Sequence, residues 1–201
     1  GCGWGGFAKY AAEKYHVKVT AVNISREQIK YATQLCQDLP VDFHMTDYRL
    51  TAAYNPTQIK FDKVVSIGLC EHIGSKNIKR FLQLVSQQLR DDGLFLLHTI
   101  GKNSTTIFSD PWVRKYIFPH GMLPSSKQIA AAVENIFVIE DYHNFGIDYD
   151  KTLMAWFHNF NEAWSTIKSK YDETFYRMWK YYLLSCAGAF RSRNIQLWQF
   201  V

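Results

Sequence analysis

The sequence lacks the patterns that mark several common classes of protein. It has no low-complexity tract and no Lys/Arg-rich run, which argues against a disordered chain and against a nucleic-acid partner. No apolar run is long enough to span a bilayer. Its 4 cysteines are far apart and form no CxxC pair. We therefore expect neither a metal site nor a disulfide framework, and a reducing cytoplasm is the compartment that fits best.

What is present is a globular composition with a surplus of aromatic side chains. Of the 201 residues, 47% are hydrophobic and 20% are charged, which suits one domain with a substantial core. The net charge of +5 fits an ordinary solvated surface or an anionic partner such as a phospholipid headgroup. Aromatic residues make up 16% of the chain, which indicates a large apolar pocket.

A glycine-rich turn opens the sequence. It spans Gly1 to Gly6, and the residues from Phe7 onward predict a helix. Glycine lets the backbone approach a ligand closely, and the free N–H groups of a helix start bind polar ligand groups. The pattern fits a nucleoside-binding turn or an ordinary glycine-rich loop. Such a turn normally follows a strand, and no strand pattern precedes it in this sequence.

Alternating strand and helix patterns follow and predict an α/β fold with a mostly parallel sheet. In such sheets ligands bind beyond the carboxyl ends of the strands, which places Asn23, Asp47, Gly68 to Glu71 and His98 on one rim. Ser25, with Gln28 three residues later, has the spacing of a capping box. The predicted segments are strands at 17–22, 41–45, 61–68 and 94–100, helices at 25–39 and 77–90, and a turn at 91–93.

The regular alternation of strand and helix patterns ends at Gly101. The segment 101–135 starts without a clear period and contains Pro111, Pro119 and Pro124, which predicts a lid or insertion. The remaining patterns predict helices at 125–135, 148–171 and 172–190 and strands at 136–142 and 195–201.

A series of short motifs along the whole chain carries a family resemblance. The motifs, in order, are Val64–Gly68, Glu71–Gly74, Leu96–Gly101, Asp110–Trp112, Lys115–Pro119, Tyr142–Gly146, Asp148–Tyr149, Met154–Trp156 and Cys186–Arg191. Together they resemble the cyclopropane-fatty-acyl-phospholipid synthase family, which includes the mycolic acid cyclopropane synthases. The resemblance implies a three-layer sandwich of the AdoMet-dependent methyltransferase (Rossmann-like) type for residues 1–201, with a lipid-binding lid around 101–135. It also implies that the first strand of the fold, the central one of its sheet, is missing from this sequence.

The resemblance also implies the chemistry. The family adds a methylene from AdoMet across a cis double bond of a phospholipid acyl chain, with a bound bicarbonate as the base. By motif, the bicarbonate ligands are Glu71, His98 and Tyr149. Cys186 matches a family cysteine near the active site, and we favour a packing role over a nucleophile. Aromatic faces that could stabilise a cationic intermediate are Tyr116, Phe118, Tyr149, Trp156 and Phe160.

For AdoMet, the resemblance assigns residues from the methionine end to the adenine: Gly1, Gly3, Asn23, Ile24, Gln28 and Asp47. Asn23 stands where a dinucleotide-binding fold would carry Asp or Glu for the ribose.

The implied partners are unsaturated phospholipid acyl chains at the inner face of the cell membrane, where the enzyme is peripheral. Docking is expected through 112–118 with help from Lys102, Arg114 and Lys115, and the family resemblance allows a homodimer. Two alternatives stay open. One is an AdoMet-dependent C-methyltransferase acting on another lipid or a small molecule. The other is a non-catalytic fragment that binds lipid or AdoMet.

Overall fold

A computed structural model describes residues 1–50, 60–106 and 110–201. The chain divides into two compact units, one of residues 1–69 and 79–96 and one of residues 70–78 and 97–201. The elements are α1 (Gly6–Tyr15), β1 (Val19–Asn23), α2 (Arg26–Leu35), β2 (Val41–Met45), β3 (Phe61–Ile67), α3 (Cys70–Ile73), a 3₁₀ helix (Ser75–Asn77), α4 (Ile78–Gln88), β4 (Leu89–Lys102), α5 (Pro111–Tyr116), α6 (Ser126–Val133), β5 (Tyr142–Asn144), α7 (Gly146–Ile167), α8 (Glu173–Arg191) and β6 (Ile195–Phe200).

In the first unit, α1 and α2 pack against a parallel pair of strands, β1 and β2. Small side chains let the glycine turn approach α2 closely. Gly5 has a φ of 86°, and a Cβ atom there would lie 2.7 Å from the Cβ atom of Ala32. Only glycine satisfies both the positive φ and this contact.

Helix α2 begins as predicted but differs in two details. The Ser25 hydroxyl accepts a hydrogen bond from the Gln28 amide at 3.4 Å, which confirms the N-cap. The reciprocal half of the capping box is wrong, because Gln28 Oε1 accepts from Asn23 Nδ2 at 2.7 Å. The helix ends at Leu35, before the predicted end at Leu39, and the chain turns before Pro40.

The rest of the first unit's core lies beneath α4. Phe81, Leu82 and Val85 are buried on one face of this helix, and the Phe81 ring contacts the rings of Tyr48 and Phe95. The spacing of apolar residues in the predicted helix at 77–90 therefore identified the buried face correctly.

The turn predicted at 91–93 is wrong, because these residues lie inside β4. β3 neighbours β4 in the strand order. Ion pairs join Arg90 to Asp62 at 2.7 Å and Asp91 to Lys60 at 3.8 Å, beside the start of β3. Strand pairing thus overrides the local turn preference of Asp and Gly.

In the second unit, β6 is antiparallel to both of its neighbours, β4 and β5. His98 and His143 are both register partners of Gln199, on opposite sides of β6. The strand predicted at 136–142 forms only from Tyr142 onward. The N–H groups of residues 136 and 137 donate to the Val133 carbonyl, which turns the chain back on α6.

Helices α7 and α8 pack against each other and against β6. Leu153, Leu183, Ala187, Phe190 and Leu197 form their buried core. A bidentate ion pair between Arg191 and Asp150 adds a surface link at 2.9 and 3.0 Å.

The segment predicted as a lid contains two short helices. α5 has Asp110 as its N-cap and Pro111 in its first turn. Both residue types are favoured at these positions of a helix start. Residues 107–109 of the predicted lid lie outside the described residues. In the described part of the chain, no helix is both long and apolar enough to cross a membrane.

Candidate active site

The carboxyl group of Glu71 is buried and only half satisfied. Glu71 is 8% exposed and lies on α3, and its Oε1 atom accepts from the Ile100 amide at 2.6 Å. Its Oε2 atom is buried without a hydrogen-bond partner among the described residues. Leaving a buried carboxyl oxygen unpaired costs about 1–3 kcal/mol, so this oxygen is a candidate for a ligand contact.

Burial also favours the neutral form of this group. It raises the pKa of Glu71, while the hydrogen bond from Ile100 opposes the rise. A carboxyl with a raised pKa can either accept or donate a proton at Oε2, depending on what it meets.

Tyr149 lies in the same surroundings. Burial raises the pKa of its phenol, and the nearby charges of Glu71 and Cys186 add to the rise. The phenol therefore keeps its proton and is a hydrogen-bond donor. Its ring meets Phe190 edge to face at 5.0 Å and Trp156 at 5.9 Å, which restricts its orientation.

The start of α7 explains how Tyr149 is placed. The helix has no side-chain cap at Phe145, but the Gly146 amide donates to Asn144 Oδ1 at 2.9 Å. Asn144 Nδ2 donates in turn to Gln196 Oε1 at 3.1 Å. A polar link from β5 to β6 thus fixes the first turn of the helix that carries Tyr149.

Tyr182 lies in the surroundings of Tyr149, and sequence reasoning did not single it out. It packs against the same core as Tyr149 and Cys186, and its ring lies 5.9 Å from that of Phe118. Burial raises the pKa of its phenol, with added effects from Cys186 and Tyr149. The signal was its spacing, because Tyr182, Cys186 and Phe190 follow each other at intervals of four residues on α8.

Cys186 is half-buried, and burial raises the pKa of its thiol to about 11. The thiolate is the nucleophilic form, so at neutral pH this group is a poor nucleophile. The packing role favoured from the sequence is compatible with this environment. Whether it contacts substrate stays a prediction.

His98 is half-buried on β4, and burial lowers the pKa of its imidazole. Its Nδ1 atom lies 3.0 Å from Nε2 of Gln199. The neutral ring is therefore the relevant form at physiological pH.

The aromatic candidates separate into two groups. Phe118 contacts the rings of Tyr182 and His72, and so belongs to the surroundings of Tyr149 and Glu71. Phe160 packs instead among aromatic rings of the α7–α8 hairpin, namely Trp164, Phe175 and Tyr176.

In the first unit, the glycine turn leaves room for a ligand beside its backbone. Gly3 has a φ of 56°, and a Cβ atom built there would meet nothing within 4 Å. Gly1, next to Cys2, is held near β1 because the Cys2 amide donates to the Val22 carbonyl at 2.9 Å. Open space beside a positive-φ glycine is the feature expected of a close backbone contact to a ligand.

Asn23 holds this turn in shape. It is 7% exposed, and its Nδ2 atom donates to the Gly3 carbonyl at 3.3 Å and to Gln28 Oε1 at 2.7 Å. Its Oδ1 atom accepts from the Ser25 amide at 3.2 Å. Both amide protons are thus used within the protein, and only Oδ1 has capacity for a ligand hydroxyl. The ribose contact stays a prediction.

Of the two remaining residues assigned to AdoMet, Ile24 is an exposed apolar side chain and Asp47 is an ion-paired carboxylate. The Ile24 side chain is 76% exposed, which is unusual for an apolar residue next to a buried strand. Asp47 makes a bidentate ion pair with Arg49, at 2.9 and 2.7 Å, and this hydrogen-bonded guanidinium lowers the pKa of the carboxyl. Sequence reasoning missed Arg49, although an Asp-x-Arg pair in a loop allows this contact.

Comparison with known proteins places the chain in a family. A family model described as mycolic acid cyclopropane synthetase matches residues 1–200. The cyclopropane-fatty-acyl-phospholipid synthase of Escherichia coli (strain K12) is 51% identical over 201 residues, covering 100% of this chain and 51% of that protein. A probable fatty acid methyltransferase of Pseudomonas putida is 33% identical over 213 residues, covering 100% and 52%. The chain spans about half the length of the curated relatives it matches.

Solved structures agree on the fold. The cyclopropane synthase MmaA2 from Mycobacterium tuberculosis superposes with a TM-score of 0.89 at 24% identity, covering 100% of this chain and 74% of that one. The mycolic acid cyclopropane synthase CmaA1, complexed with SAH and CTAB, gives 0.88 at 28% identity with the same coverage. The predicted α/β fold of the AdoMet-dependent methyltransferase type is confirmed. With a family model matched along nearly its whole length, the chain belongs to the mycolic acid cyclopropane synthetase family.

Proposed function

We propose that the chain carries the catalytic centre of a cyclopropane-fatty-acyl-phospholipid synthase. The reaction adds a methylene from AdoMet across a cis double bond of a phospholipid acyl chain. The observation that carries the proposal is the buried Glu71 carboxyl, with one oxygen bonded to Ile100 and the other without a partner, beside Tyr149. The relatives support a lipid acceptor, since their names specify fatty acyl phospholipid and fatty acid.

The residues of the first unit fit an AdoMet site. AdoMet, when bound, supplies the electrophilic methyl carbon that becomes the ring methylene. Gly1 and Gly3 offer close backbone approach to its methionine part, and Ile24 offers an exposed apolar surface to the adenine. Asn23 Oδ1 and the side-chain amide of Gln28 would hold the ribose. Asp47, paired with Arg49, would accept from the adenine amine.

The second unit fits a bicarbonate ion as the base. Bicarbonate, when bound, accepts the proton that the new methyl group loses as the ring closes. Tyr149 and neutral His98 act as hydrogen-bond donors to the anion, and Glu71 Oε2 accepts from its hydroxyl. The hydroxyl proton that bridges bicarbonate and Glu71 Oε2 keeps the two groups from meeting as bare negative charges.

The lipid chain becomes cationic before the ring closes, and the aromatic rings serve that step. Tyr149 and Tyr182 pack against a buried apolar core, and the Phe118 ring contacts that of Tyr182, so we assign these rings to the cation. Each such contact is worth up to about 2 kcal/mol when desolvated.

A labelled assay tests the proposed reaction. The protein is incubated with methyl-¹³C AdoMet and vesicles of a cis-unsaturated phospholipid, and the extracted acyl chains are examined by mass spectrometry and proton NMR. We expect a gain of one methylene with the high-field proton signals of a cyclopropane. A methyl-branched chain without those signals favours the C-methyltransferase alternative. No detectable AdoMet binding by calorimetry favours the non-catalytic alternative.

Tyr149→Phe should weaken the response of the enzyme to added bicarbonate. The substitution removes one donor to the anion while keeping the ring, so we expect the bicarbonate concentration for half-maximal activity to rise about tenfold. Tyr171→Phe is the matched control, because Tyr171 is exposed and stacks on Phe175. An unchanged bicarbonate dependence in Tyr149→Phe contradicts the assigned role.

We further propose that α5 docks the enzyme on the inner face of the cytoplasmic membrane. Tyr116 and Phe118 are 48% and 40% exposed, and Arg114 and Lys115 are exposed beside them. Lys102 contributes less than the sequence suggested, because its amine bonds to Thr106.

The homodimer that the family resemblance allows stays a proposal.

Salt should weaken this docking. Raising the ionic strength from about 0.05 to 0.5 M shortens the range of attraction between Arg114, Lys115 and anionic lipid, so co-sedimentation with anionic vesicles should fall severalfold. The double variant Arg114→Gln/Lys115→Gln should bind weakly at every salt concentration. Lys168→Gln/Lys170→Gln, on the exposed α7–α8 connection, is the control. Salt-independent binding of the wild type contradicts the electrostatic part.

A further inference from the structure

A row of three polar side chains crosses the antiparallel sheet of the second unit. Gln199 on β6 is the register partner of His98 on β4 and of His143 on β5. Directly opposed residues of neighbouring strands project from the same face of a sheet. Within this row, Gln199 Nε2 lies 3.0 Å from His98 Nδ1.

The chemistry of that contact determines where the His98 proton lies. An amide nitrogen has two protons and acts only as a donor, so Nδ1 must accept and cannot carry a proton. A neutral imidazole then holds its single proton on Nε2. Burial lowers the pKa of His98, which supports the neutral ring.

We propose that Gln199 is a positioning residue that holds His98 as the neutral tautomer with its proton on Nε2. This inference rests on the proposed function, in which His98 must donate to an anion. The reverse tautomer would present a lone pair at Nε2 and repel that anion. Nothing in the motifs of the sequence pointed to Gln199, because a glutamine in a closing strand has many ordinary uses.

Among the residues that the structure describes, few charged groups compete with this contact. On β6, Gln199 is itself uncharged, and on β5 the exposed ring of His143 stacks on Phe145 at 3.9 Å. On α3, Glu71 bonds through Oε1 to the Ile100 amide, and on α7 Tyr149 keeps its proton. The Gln199 amide is therefore the contact that selects between the two neutral tautomers of His98.

Nitrogen NMR of the protein labelled with ¹⁵N-histidine tests the inference. The His98 signals are identified by their loss in His98→Gln. In the wild type we expect a protonated Nε2 and an unprotonated Nδ1. Gln199→Glu offers only an acceptor, so Nδ1 should become protonated and the pKa of His98 should rise by about one unit or more. Gln199→Met, similar in length and without a donor, should show a mixture of tautomers.

Activity supplies the second readout. Gln199→Glu should lower kcat about 10- to 100-fold and shift its pH profile, with little change in KM. Gln87→Glu makes the same chemical change on an exposed position of α4 and should change neither property. A wild-type Nδ1–H tautomer, or a tautomer unchanged in both Gln199 variants, overturns the inference. A wild type without methylene transfer overturns the proposed function instead, and the nitrogen signals still decide the role of Gln199.

Discussion

Glu71→Gln is expected to lower turnover in methylene transfer about 10²- to 10⁴-fold and to leave AdoMet affinity unchanged. The amide can still accept from the Ile100 N–H, so the fold around it is kept. At the position of Oε2 it presents an NH₂ group, which cannot accept the hydroxyl of the anion. The base is then bound in the wrong orientation, while the AdoMet residues of the first unit are untouched.

The measurement is turnover under saturating substrates together with AdoMet calorimetry. Glu134→Gln, the same change at an exposed position after α6, is the control and should behave like wild type. Wild-type turnover in Glu71→Gln removes this residue from the mechanism.

The same variant has a second signature, in the pH dependence of stability. Because burial raises the pKa of Glu71 in the folded protein, the neutral acid stabilises the fold at pH values below the ordinary glutamic acid pKa. That contribution is lost as pH rises through the raised pKa. Glu71→Gln cannot ionise, so its unfolding free energy should fall less than that of the wild type over this range.

Gly101→Ala is expected to destabilise the protein by about 3 kcal/mol. A Cβ atom at position 101 would lie 2.1 Å from Cζ3 of Trp198, whose side chain is 2% exposed. A buried indole between neighbouring strands has no room to retreat, so the strands must separate or the ring must leave its site. Ile100, which holds Glu71, is the adjacent residue and would move with them.

Gly188→Ala, in the same unit, should stabilise the protein instead of destabilising it. Position 188 lies within α8, is exposed, and has nothing within 4 Å of an added Cβ atom. Alanine in place of glycine should stabilise this helix by up to about 1 kcal/mol. Urea unfolding of both variants gives the comparison. Equal stabilities of Gly101→Ala and the wild type would show that Trp198 does not press on the Gly101 backbone.

Local sequence patterns predicted helix starts and buried faces well. The Ser25 cap and the apolar spacing of α4 depend on interactions within four residues, so a short stretch contains all the necessary information. The wrong predictions fell where contacts with distant parts of the chain outweighed the local sequence preference. The residues at 91–93 joined β4 despite their turn chemistry, and the chain at 136–137 bonded back to the end of α6 before reaching β5.

The candidate site shows the same division. Motifs identified Glu71 and Tyr149 by family resemblance, and the structure brings both into one buried region. Tyr182 and Arg49 were missed although helical spacing and the Asp-x-Arg pair were local signals for them. Gln199 was missed because its contact with His98 forms only in the folded chain. Gln199 meets His98 across 101 residues of chain, and no local pattern encodes such a contact.

By itself the sequence determined the α/β order of elements, the family and the residue types available for catalysis. These depend on local periodicity and on motifs that can be read in order along the chain. Only the tertiary structure decided that one Glu71 oxygen is satisfied and the other is not, and which atom of His98 lies next to Gln199. Burial and hydrogen bonding set protonation, and both arise from residues that meet only after folding.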